Sequence, residues 1–222
     1  KLRQEQINPH FLYNTLDSIV WMAEGGNNRQ VVEMTSDLSD FFRTVLSEGH
    51  DFITIAEEEQ HIRSYLKIQK IRYEDVLDYR IEMEERIRSR VVLKMILQPI
   101  VENALYHGIK NKRGGGTISI RGYEDKNGIV FEVEDDGTGM DQETLSKLRE
   151  KIKSGREGRE EPVRKSGGFG LSNVAQRLSM YYGESSALVI ESEKGTCVKL
   201  YLGQIPLSRR EDEKSRTEQV RP

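Results

Sequence analysis

The chain has 222 residues, which allows one or two domains with a proper hydrophobic core. Its 34 Lys and Arg nearly balance 37 Asp and Glu, so the net charge of −3 offers no basic field for nucleic acid. One cysteine, Cys197, cannot form an internal disulfide, which suits a reducing compartment. No apolar run approaches the roughly 20 residues that span a bilayer, and no signal-peptide pattern is present.

Two helices with apolar residues at helical spacing open the chain. The first is predicted over Pro9–Glu24 and ends at Gly25 and Gly26, and the second is predicted over residues 28–48. Two helices cannot enclose so much apolar surface, so we expect a homodimer in which two hairpins form a four-helix bundle. A capping box at residues 54–57 predicts a third helix, a connector that extends to about Tyr73.

Polar side chains form a row on the first helix. Gln6, His10 and Asn14 stand at i−4, i and i+4, so two amides can hold one imidazole tautomer and aim a ring nitrogen at an incoming phosphorus. The alternative is a core histidine, but an apolar stripe already lies beside this row, formed by Leu12, Leu16, Ile19, Val20 and Ala23. His50 and His61 have no Cys or carboxylate at zinc-ligand spacing, and we expect both at the surface.

Residues 97–108, LQPIVENALYHG, predict a second functional helix. Ile100, Ala104 and Leu105 are spaced to face a core, whereas Asn103, His107 and Lys110 fall at i, i+4 and i+7 on a neighbouring face. An amide oxygen can ligate Mg²⁺, and the imidazole and ammonium can meet phosphate oxygens. A helix with a solvated polar stripe is the alternative for this segment alone.

An acidic glycine box, DDGTGM at residues 135–140, follows an alternating strand pattern. Asp135 can accept a hydrogen bond from an exocyclic amine such as that of adenine, and Gly137 and Gly139 let the backbone approach a planar ligand. Asp-Gly-x-Gly also occurs in ordinary turns.

A second glycine box, GGFGLSN at residues 167–173, opens another helix. Free backbone N–H groups and the helix dipole would face a bound phosphate there, although a hinge or a simple helix start gives the same pattern. A Rossmann fingerprint is excluded because the preceding residues are polar and glycine-punctuated instead of forming a strand.

The remaining elements alternate between strands and helices. Strands are predicted over residues 77–83, 188–192 and 198–202, together with a hairpin over 117–133 that turns at Lys126-Asn127-Gly128. Helices are predicted over 142–153 and 171–182. Residues 154–166 and 208–222 are too polar to bury a core and are expected to be disordered, the first as a lid or a solvated linker.

In this order, the Asn103 helix, the Asp135 box and the second glycine box resemble the ATP-binding domain of histidine kinases, gyrase-type ATPases, Hsp90 and mismatch-repair ATPases. The resemblance covers residues 76–206 and implies ATP and Mg²⁺ as cofactors, with Asn103 on the metal. It further implies nucleotide contacts from two glycine-box segments and the last strand, namely Gly137, Gly139, Gly168, Gly170, Leu171 and Thr196.

Residues 6–16, QINPHFLYNTL, resemble the phosphoacceptor box of LytS/YesM-type sensor histidine kinases, and the Glu102-Asn103 pair is similar to that subgroup. The resemblance implies autophosphorylation of His10 and a response-regulator partner whose aspartate takes the phosphoryl group. Because the chain begins inside an apparently continuing helix, we interpret it as the cytoplasmic part of a membrane-anchored sensor, with the membrane segments outside this sequence.

Two other functions stay open. An ATPase or serine kinase of the same superfamily needs an activating Glu four residues before the metal Asn, but Pro99 stands there, and Glu102 points about 100° away around the helix. A non-catalytic nucleotide-binding scaffold is the other alternative, although all the expected ligand positions are occupied.

One position departs from the family pattern. Many histidine kinases have an acidic residue directly after the phosphoacceptor, whereas Phe11 stands here and can accept no proton. The base therefore lies elsewhere or is dispensable, in which case orientation of the neutral ring suffices. Glu102 is the nearest carboxylate by motif position, and our hypothesis is that it acts as the base.

The resulting fold class is α+β: a helical hairpin that forms a dimeric bundle, then a two-layer α/β sandwich. We predict dimerisation and phosphoacceptor helices at 1–75, an ATP-binding domain at 76–207 with a lid at about 141–168, and a disordered tail at 208–222.

Overall fold

The computed structural model describes residues 9–46, 51–110, 112–156 and 169–203. Gln6, His50 and Gly168 lie outside the described residues, as do residues 157–168 of the predicted lid and the whole predicted tail. Within the described part of the chain, no helix combines the length and apolar character needed to cross a membrane.

Six α-helices and seven strands are present in the described residues. The helices are α1 (Pro9–Glu24), α2 (Asn28–Val45), α3 (Ile55–Arg72), α4 (Gln98–Asn103), α5 (Gln142–Arg156) and α6 (Phe169–Tyr182). The strands are β1 (Phe52–Thr54), β2 (Leu77–Met83), β3 (Val91–Leu93), β4 (Gly116–Asp125), β5 (Gly128–Asp135), β6 (Ala187–Glu193) and β7 (Gly195–Tyr201).

The first two helices form the predicted hairpin. Gly26 adopts a φ of 73°, which only glycine tolerates readily, and the N–H of Asn27 donates to the carbonyl of Met22 to close the turn. The face of α1 that packs inside the chain carries Phe11, Thr15 and Met22. Much of the predicted apolar stripe of α1 therefore faces outward, since Leu16 and Val20 are exposed.

The connector α3 begins at the predicted capping box. Thr54 Oγ1 accepts from the N–H of Glu57, and the Glu57 carboxylate accepts from the N–H of Thr54. The helix packs against α2 and also against β1, β2 and β3. Its buried residues therefore join the hairpin of α1 and α2 to the second half of the chain.

Five strands form one mixed sheet in the order β2-β4-β5-β7-β6. Strands β2 and β4 are parallel, and every other neighbouring pair is antiparallel. Helices α5 and α6 and the helical turn Ala104–Ile109, which continues α4, pack on this sheet. This gives the expected α+β class with a two-layer sandwich.

Several boundaries differ from the sequence-based predictions. Helix α5 continues to Arg156, so residues 154–156 are helical instead of disordered. Its buried Gly155 lies against Ser172 of α6, where a Cβ would approach the Ser172 carbonyl within 3.0 Å, so tertiary packing extends this helix. The short antiparallel pair β1 and β3 was not predicted, because three residues are too few to show an alternating pattern.

Candidate nucleotide and phosphoacceptor sites

Asp135, at the end of β5, lies in a tight cradle of backbone. Its side chain is 3% exposed, and the N–H of Gly137 donates to Oδ1 at 2.9 Å. A Cβ on either Gly108 or Gly137 would come closer than 3.0 Å to that carboxylate. The two glycines therefore make room for this carboxylate, and the contact of Gly108 with Asp135 is one that the sequence analysis missed.

The pKa of Asp135 is raised to about 6. Burial away from water is the main cause, and the backbone N–H groups of Gly137 and Thr196 act in the opposite direction by bonding to the carboxylate. A buried carboxylate with few protein donors has acceptor capacity left for a ligand N–H.

Two further glycines allow the backbone to pack closely around Asp135. Gly139 and Gly195 have φ values of 68° and 97°, which suit glycine alone, and a Cβ on Gly195 would strike the carbonyl of Asp135. Thr196 pairs with Asp135 in the β5–β7 register and is buried, with its hydroxyl 3.2 Å from Ser192 Oγ. Gly137 and Thr196 thus lie beside Asp135, while nucleotide contact by Gly137, Gly139 and Thr196 stays a prediction.

Asp136 has a different role from its neighbour. Its Oδ1 accepts from the N–H of Thr117 at 2.9 Å and lies 3.1 Å from Lys112 Nζ. These contacts tie the loop after β5 to the start of β4. Only Asp135 of the pair therefore faces the glycine cradle.

Asn103 ends α4, and the chain continues as a π-helical turn over Ala104–Ile109. Isolated π-turns are rare and occur frequently at functional sites. The predicted core residues Ile100, Ala104 and Leu105 are buried, and Asn103 is half-buried.

The π-turn changes the expected polar stripe, because its i→i+5 bonding breaks the α-helical register after Asn103. His107 is exposed. Lys110 is also exposed, and its Nζ lies 5.7 Å from the ring centroids of both Tyr73 and Tyr106. The prediction that Asn103, His107 and Lys110 lie on one face of an α-helix is therefore wrong. Phosphate contact by His107 and Lys110 stays a prediction.

Two charged residues, one buried and one half-buried, hold the turn that enters α4. Glu58 of α3 accepts from the N–H groups of Met95 and Leu97 at 2.8 and 2.9 Å. From the other side, Arg177 of α6 donates to the carbonyls of Lys94 and Met95. Met95 has a φ of 55°, which is unusual for a residue with a side chain, and these contacts stabilise it.

The start of α6 lies against the first turn of α4. A Cβ on Gly170 would meet Pro99 at 3.2 Å, and the side chain of Leu171 is buried in the core. Any nucleotide contact made by Leu171 must therefore use its backbone. The amino end of α6 and Asn103 are thus brought to the same region by α4.

His10 is exposed near the start of α1, and Asn14 lies against its ring. Asn14 Nδ2 is 2.8 Å from Nδ1 and 3.2 Å from Nε2 of His10. The tautomer of the imidazole decides which nitrogen accepts from the amide. The predicted pairing of His10 and Asn14 is therefore present, whereas the predicted contact to Gln6 falls outside the described residues.

Phe11 points away from His10 into the core. Its ring centroid lies 5.0 Å from that of Phe41 and 5.2 Å from that of Tyr65. A carboxylate at this position would be buried among aromatic rings without a partner. The departure from the family pattern at this position therefore has a packing reason.

Glu102 and His61 lie in one buried polar chain. His61 is fully buried, so the predicted surface position is wrong; its ring stacks on Phe41, and its Nε2 lies 2.7 Å from Gln98 Oε1. Gln98 Nε2 donates to Glu102 Oε1 at 2.9 Å. Burial raises the pKa of Glu102, and the bond from Gln98 lowers it.

The polar groups at this site are suitable for binding ATP and one Mg²⁺. A Cβ on Gly108 or Gly137 would overlap the Asp135 carboxylate, so the backbone beside this acceptor carries no side chain that would hinder a planar ligand. No group of three or more His, Cys, Asp or Glu that could hold a metal occurs among the residues the structure describes. Magnesium commonly uses one or two protein oxygens together with phosphates and water, so Asn103 alone suits it.

The family follows from the match to two family models. Residues 1–77 match the histidine kinase model, and residues 89–206 match the model of histidine kinase-, DNA gyrase B- and HSP90-like ATPases. The second match alone covers just over half of the chain. The chain belongs to the sensor histidine kinase family of the LytS/YesM type.

Named relatives agree with this assignment. The chain is 34% identical to sensor histidine kinase YesM of Bacillus subtilis (strain 168) over 88% of this chain and 32% of YesM. It is 28% identical to sensor histidine kinase BtsS of Escherichia coli (strain K12) over 91% of this chain and 32% of BtsS. The chain thus spans about a third of the length of these relatives.

Solved structures support the fold. The catalytic domain of histidine kinase ThkA aligns with a TM-score of 0.50 at 18% identity, over 69% of this chain and 94% of that domain. A bacterial phosphotransferase aligns with a TM-score of 0.52 at 11% identity, over 86% of this chain and 90% of that protein. At these identities the likeness concerns the fold alone.

Proposed function

We propose that this sensor histidine kinase chain transfers the γ-phosphoryl group of ATP to His10 and then to an aspartate of a response regulator. The observation that supports this most directly is the exposed His10 ring against Asn14, in the same chain as the glycine-lined Asp135 cradle. A simple ATPase would have no use for such an imidazole.

The adenine would lie against Asp135, whose carboxylate accepts from the exocyclic amine. Gly108, Gly137 and Gly139 allow close approach, and Thr196 lies beside the same carboxylate. The backbone N–H groups of Gly168, Gly170 and Leu171, at the amino end of α6, would meet the phosphates.

Asn103 would hold Mg²⁺ through its amide oxygen, and the ion would neutralise charge on the phosphates during transfer. His107 and Lys110 would contact phosphate oxygens from the π-turn and the residue that follows it. For Lys110 this requires the ammonium to turn away from the rings of Tyr73 and Tyr106.

A lone pair on one imidazole nitrogen of His10 would attack the γ-phosphorus, so an N–P bond forms and the bond to the bridging oxygen of ADP breaks. The other nitrogen carries the proton, and Asn14 and Gln6 would hold the ring in that tautomer. Glu102 would take the proton that the ring loses after attack. The two chains of a homodimer would bring these groups together.

The test is to incubate the chain with γ-labelled ATP and Mg²⁺ and to examine the bond that forms. A phosphoramidate at His10 is labile in acid and stable in base. The variant His10→Ala should lose the label but bind ATP as tightly as the parent, since His10 lies outside the nucleotide cradle. An acid-stable label would instead favour a serine kinase.

A second measurement tests Glu102. The variant Glu102→Gln should phosphorylate His10 about 10²-fold more slowly at saturating ATP, a loss usual for a general base, with ATP affinity kept. Asn14→Ala should cause a smaller loss through poorer aim of the ring. If Glu102→Gln reacts as fast as the parent, orientation of His10 alone is the better account.

A further inference from the structure

Three hydrogen-bonded polar side chains connect the connector helix α3 to helix α4. His61 is on α3, Gln98 begins α4, and Glu102 lies one turn further along α4. The two contacts are 2.7 Å from His61 Nε2 to Gln98 Oε1 and 2.9 Å from Gln98 Nε2 to Glu102 Oε1. His61 and Gln98 are both buried, so water does not compete for these bonds.

The chemistry of these three side chains decides which atom donates in each of the two hydrogen bonds. An ionised Glu102 can only accept, so it must meet the NH₂ of Gln98, and the amide oxygen must then face His61. His61 consequently donates from Nε2, and its Nδ1 carries the lone pair. Nδ1 is buried and has no hydrogen-bond partner within the described residues.

The ring of His61 is held by packing on its other side. It stacks on Phe41 of α2 with centroids 4.6 Å apart and an interplanar angle of 19°. Phe41 in turn contacts Phe11, the residue after His10. The position of His61 therefore depends on how the phosphoacceptor helices pack.

We propose that His61 is a positioning residue that, through Gln98, holds the Glu102 carboxylate in place beside Asn103. The proposal rests on the function proposed above, in which Glu102 takes part in phosphorylation of His10. A glutamate side chain has several rotatable bonds, and a fixed donor at one oxygen limits the directions that the carboxylate can face. Loss of this donor should slow the reaction without weakening ATP binding.

Two substitutions of His61 separate the hydrogen bond from the packing. His61→Phe keeps a ring on Phe41 but has no donor, whereas His61→Gln can present an amide N–H near the position of Nε2. We expect His61→Phe to lower the autophosphorylation rate at saturating ATP by about tenfold, the order of loss known for outer-shell positioning groups. ATP affinity, measured by calorimetry, should change by less than about twofold, and His61→Gln should recover most of the rate.

A double-mutant cycle decides whether the effect passes through Glu102. In the Glu102→Gln background, His61→Phe should cause little further loss, because the carboxylate that it positions is already gone. Losses that multiply would overturn the proposal. If Glu102→Gln is slow but His61→Phe is fully active, His61 does not position Glu102, whereas the proposed function still stands.

Further outcomes separate positioning from general stability. Gln98→Met cuts the chain in the middle without altering α3, and it should reproduce the tenfold rate loss even if His61→Phe folds poorly. If His61→Phe, His61→Gln and Gln98→Met all lower the thermal midpoint and the rate in parallel, with no recovery in His61→Gln, the role is structural and the proposal fails. A fully active Glu102→Gln would also end it, while the acid-labile label on His10 would still report on the kinase function independently.

Discussion

At the scale of single residues, Asp135 shows how glycines allow a carboxylate to be buried against the backbone. The carboxylate is nearly inaccessible to water. The glycines beside it have no side chain, so their backbone can approach the carboxylate closely. Its neighbour Asp136 has the same chemistry but is used to anchor Thr117 and Lys112. Position in the loop, and not residue type, separates the two roles.

Replacement of Asp135 by Asn should weaken ATP binding by at least tenfold. Asn keeps the shape but replaces a charged acceptor with a neutral amide, and charge-assisted bonds contribute about 1.5–3 kcal/mol. Calorimetric titration measures the change, with Asp136→Asn as the neighbouring control. Equal affinity in Asp135→Asn and the parent would exclude this role for the carboxylate.

The raised pKa of Asp135 also predicts a pH dependence. As the pH falls below about 6, the carboxyl takes up a proton and loses its charged acceptor, so ATP affinity should fall. The same titration in Asp135→Asn corrects for protonation of the nucleotide itself. If the two proteins show identical profiles between about pH 5 and 7.5, the group does not titrate in this range.

Stability should change with pH in the opposite direction. The pKa of Asp135 is about 6 in the folded chain against 3.8 for the ordinary group, so the folded state binds more protons between these values. Its contribution to stability therefore grows as the pH falls through 6 and is complete below 3.8. Asp135→Asn should accordingly stabilise the nucleotide-free protein more at pH 7.5 than at about pH 5.

At the scale of elements, helix α4 owes its position to residues from other helices. Glu58 of α3 satisfies two backbone N–H groups at its entry, and Arg177 of α6 satisfies two carbonyls. The six-residue helix is too short to form by itself, and the π-turn after it departs from the bonding pattern of an α-helix. Tertiary contacts therefore hold Asn103 in place.

The variant Glu58→Gln should lower the free energy of unfolding by about 1–3 kcal/mol. Glutamine offers one acceptor oxygen, so one of the N–H groups of Met95 and Leu97 would face an NH₂ group in a buried site. Urea unfolding gives the value. Glu143→Gln removes a carboxylate from an exposed pair with Lys147 and should change stability by less than about 0.5 kcal/mol.

At the scale of the whole molecule, helix α1 carries several apolar side chains that are exposed in the single chain. Val20 is 56% exposed and Trp21 is 76% exposed, and they lie near Leu16 on α1. Apolar surface of this kind on a helix requires a partner, and two hairpins would bury it in a four-helix bundle. We therefore keep the homodimer as a prediction.

The variant Val20→Glu should shift the chain from dimer to monomer, because a carboxylate would then be buried at the helix–helix contact. Sedimentation velocity across a concentration series measures the change. Glu143→Lys, on the exposed face of α5, should leave the sedimentation coefficient unchanged. If Val20→Glu sediments as the parent does, α1 does not form the dimer contact.

Local patterns in the sequence were enough to predict most of the elements. Helix α1, the capping box of α3 and strand β2 agree with the predicted bounds, because helical periodicity, capping and strand alternation are properties of neighbouring residues. The end of α5 and the pair β1–β3 were not predicted, because packing against distant segments decides both.

By itself the sequence determined the histidine motif and the two glycine boxes, and the resemblance of these motifs to known ones indicated the family. Only the tertiary structure decided that Gly108 faces Asp135 and that His61 is buried and bonded to Gln98. These contacts join residues 27 and 37 positions apart, and no local pattern encodes which face of a helix meets which distant partner. Burial of apolar side chains decides which faces of the helices pack together when the whole chain folds. The glycine cradle around Asp135 and the link from His61 to Glu102 are therefore properties of the fold.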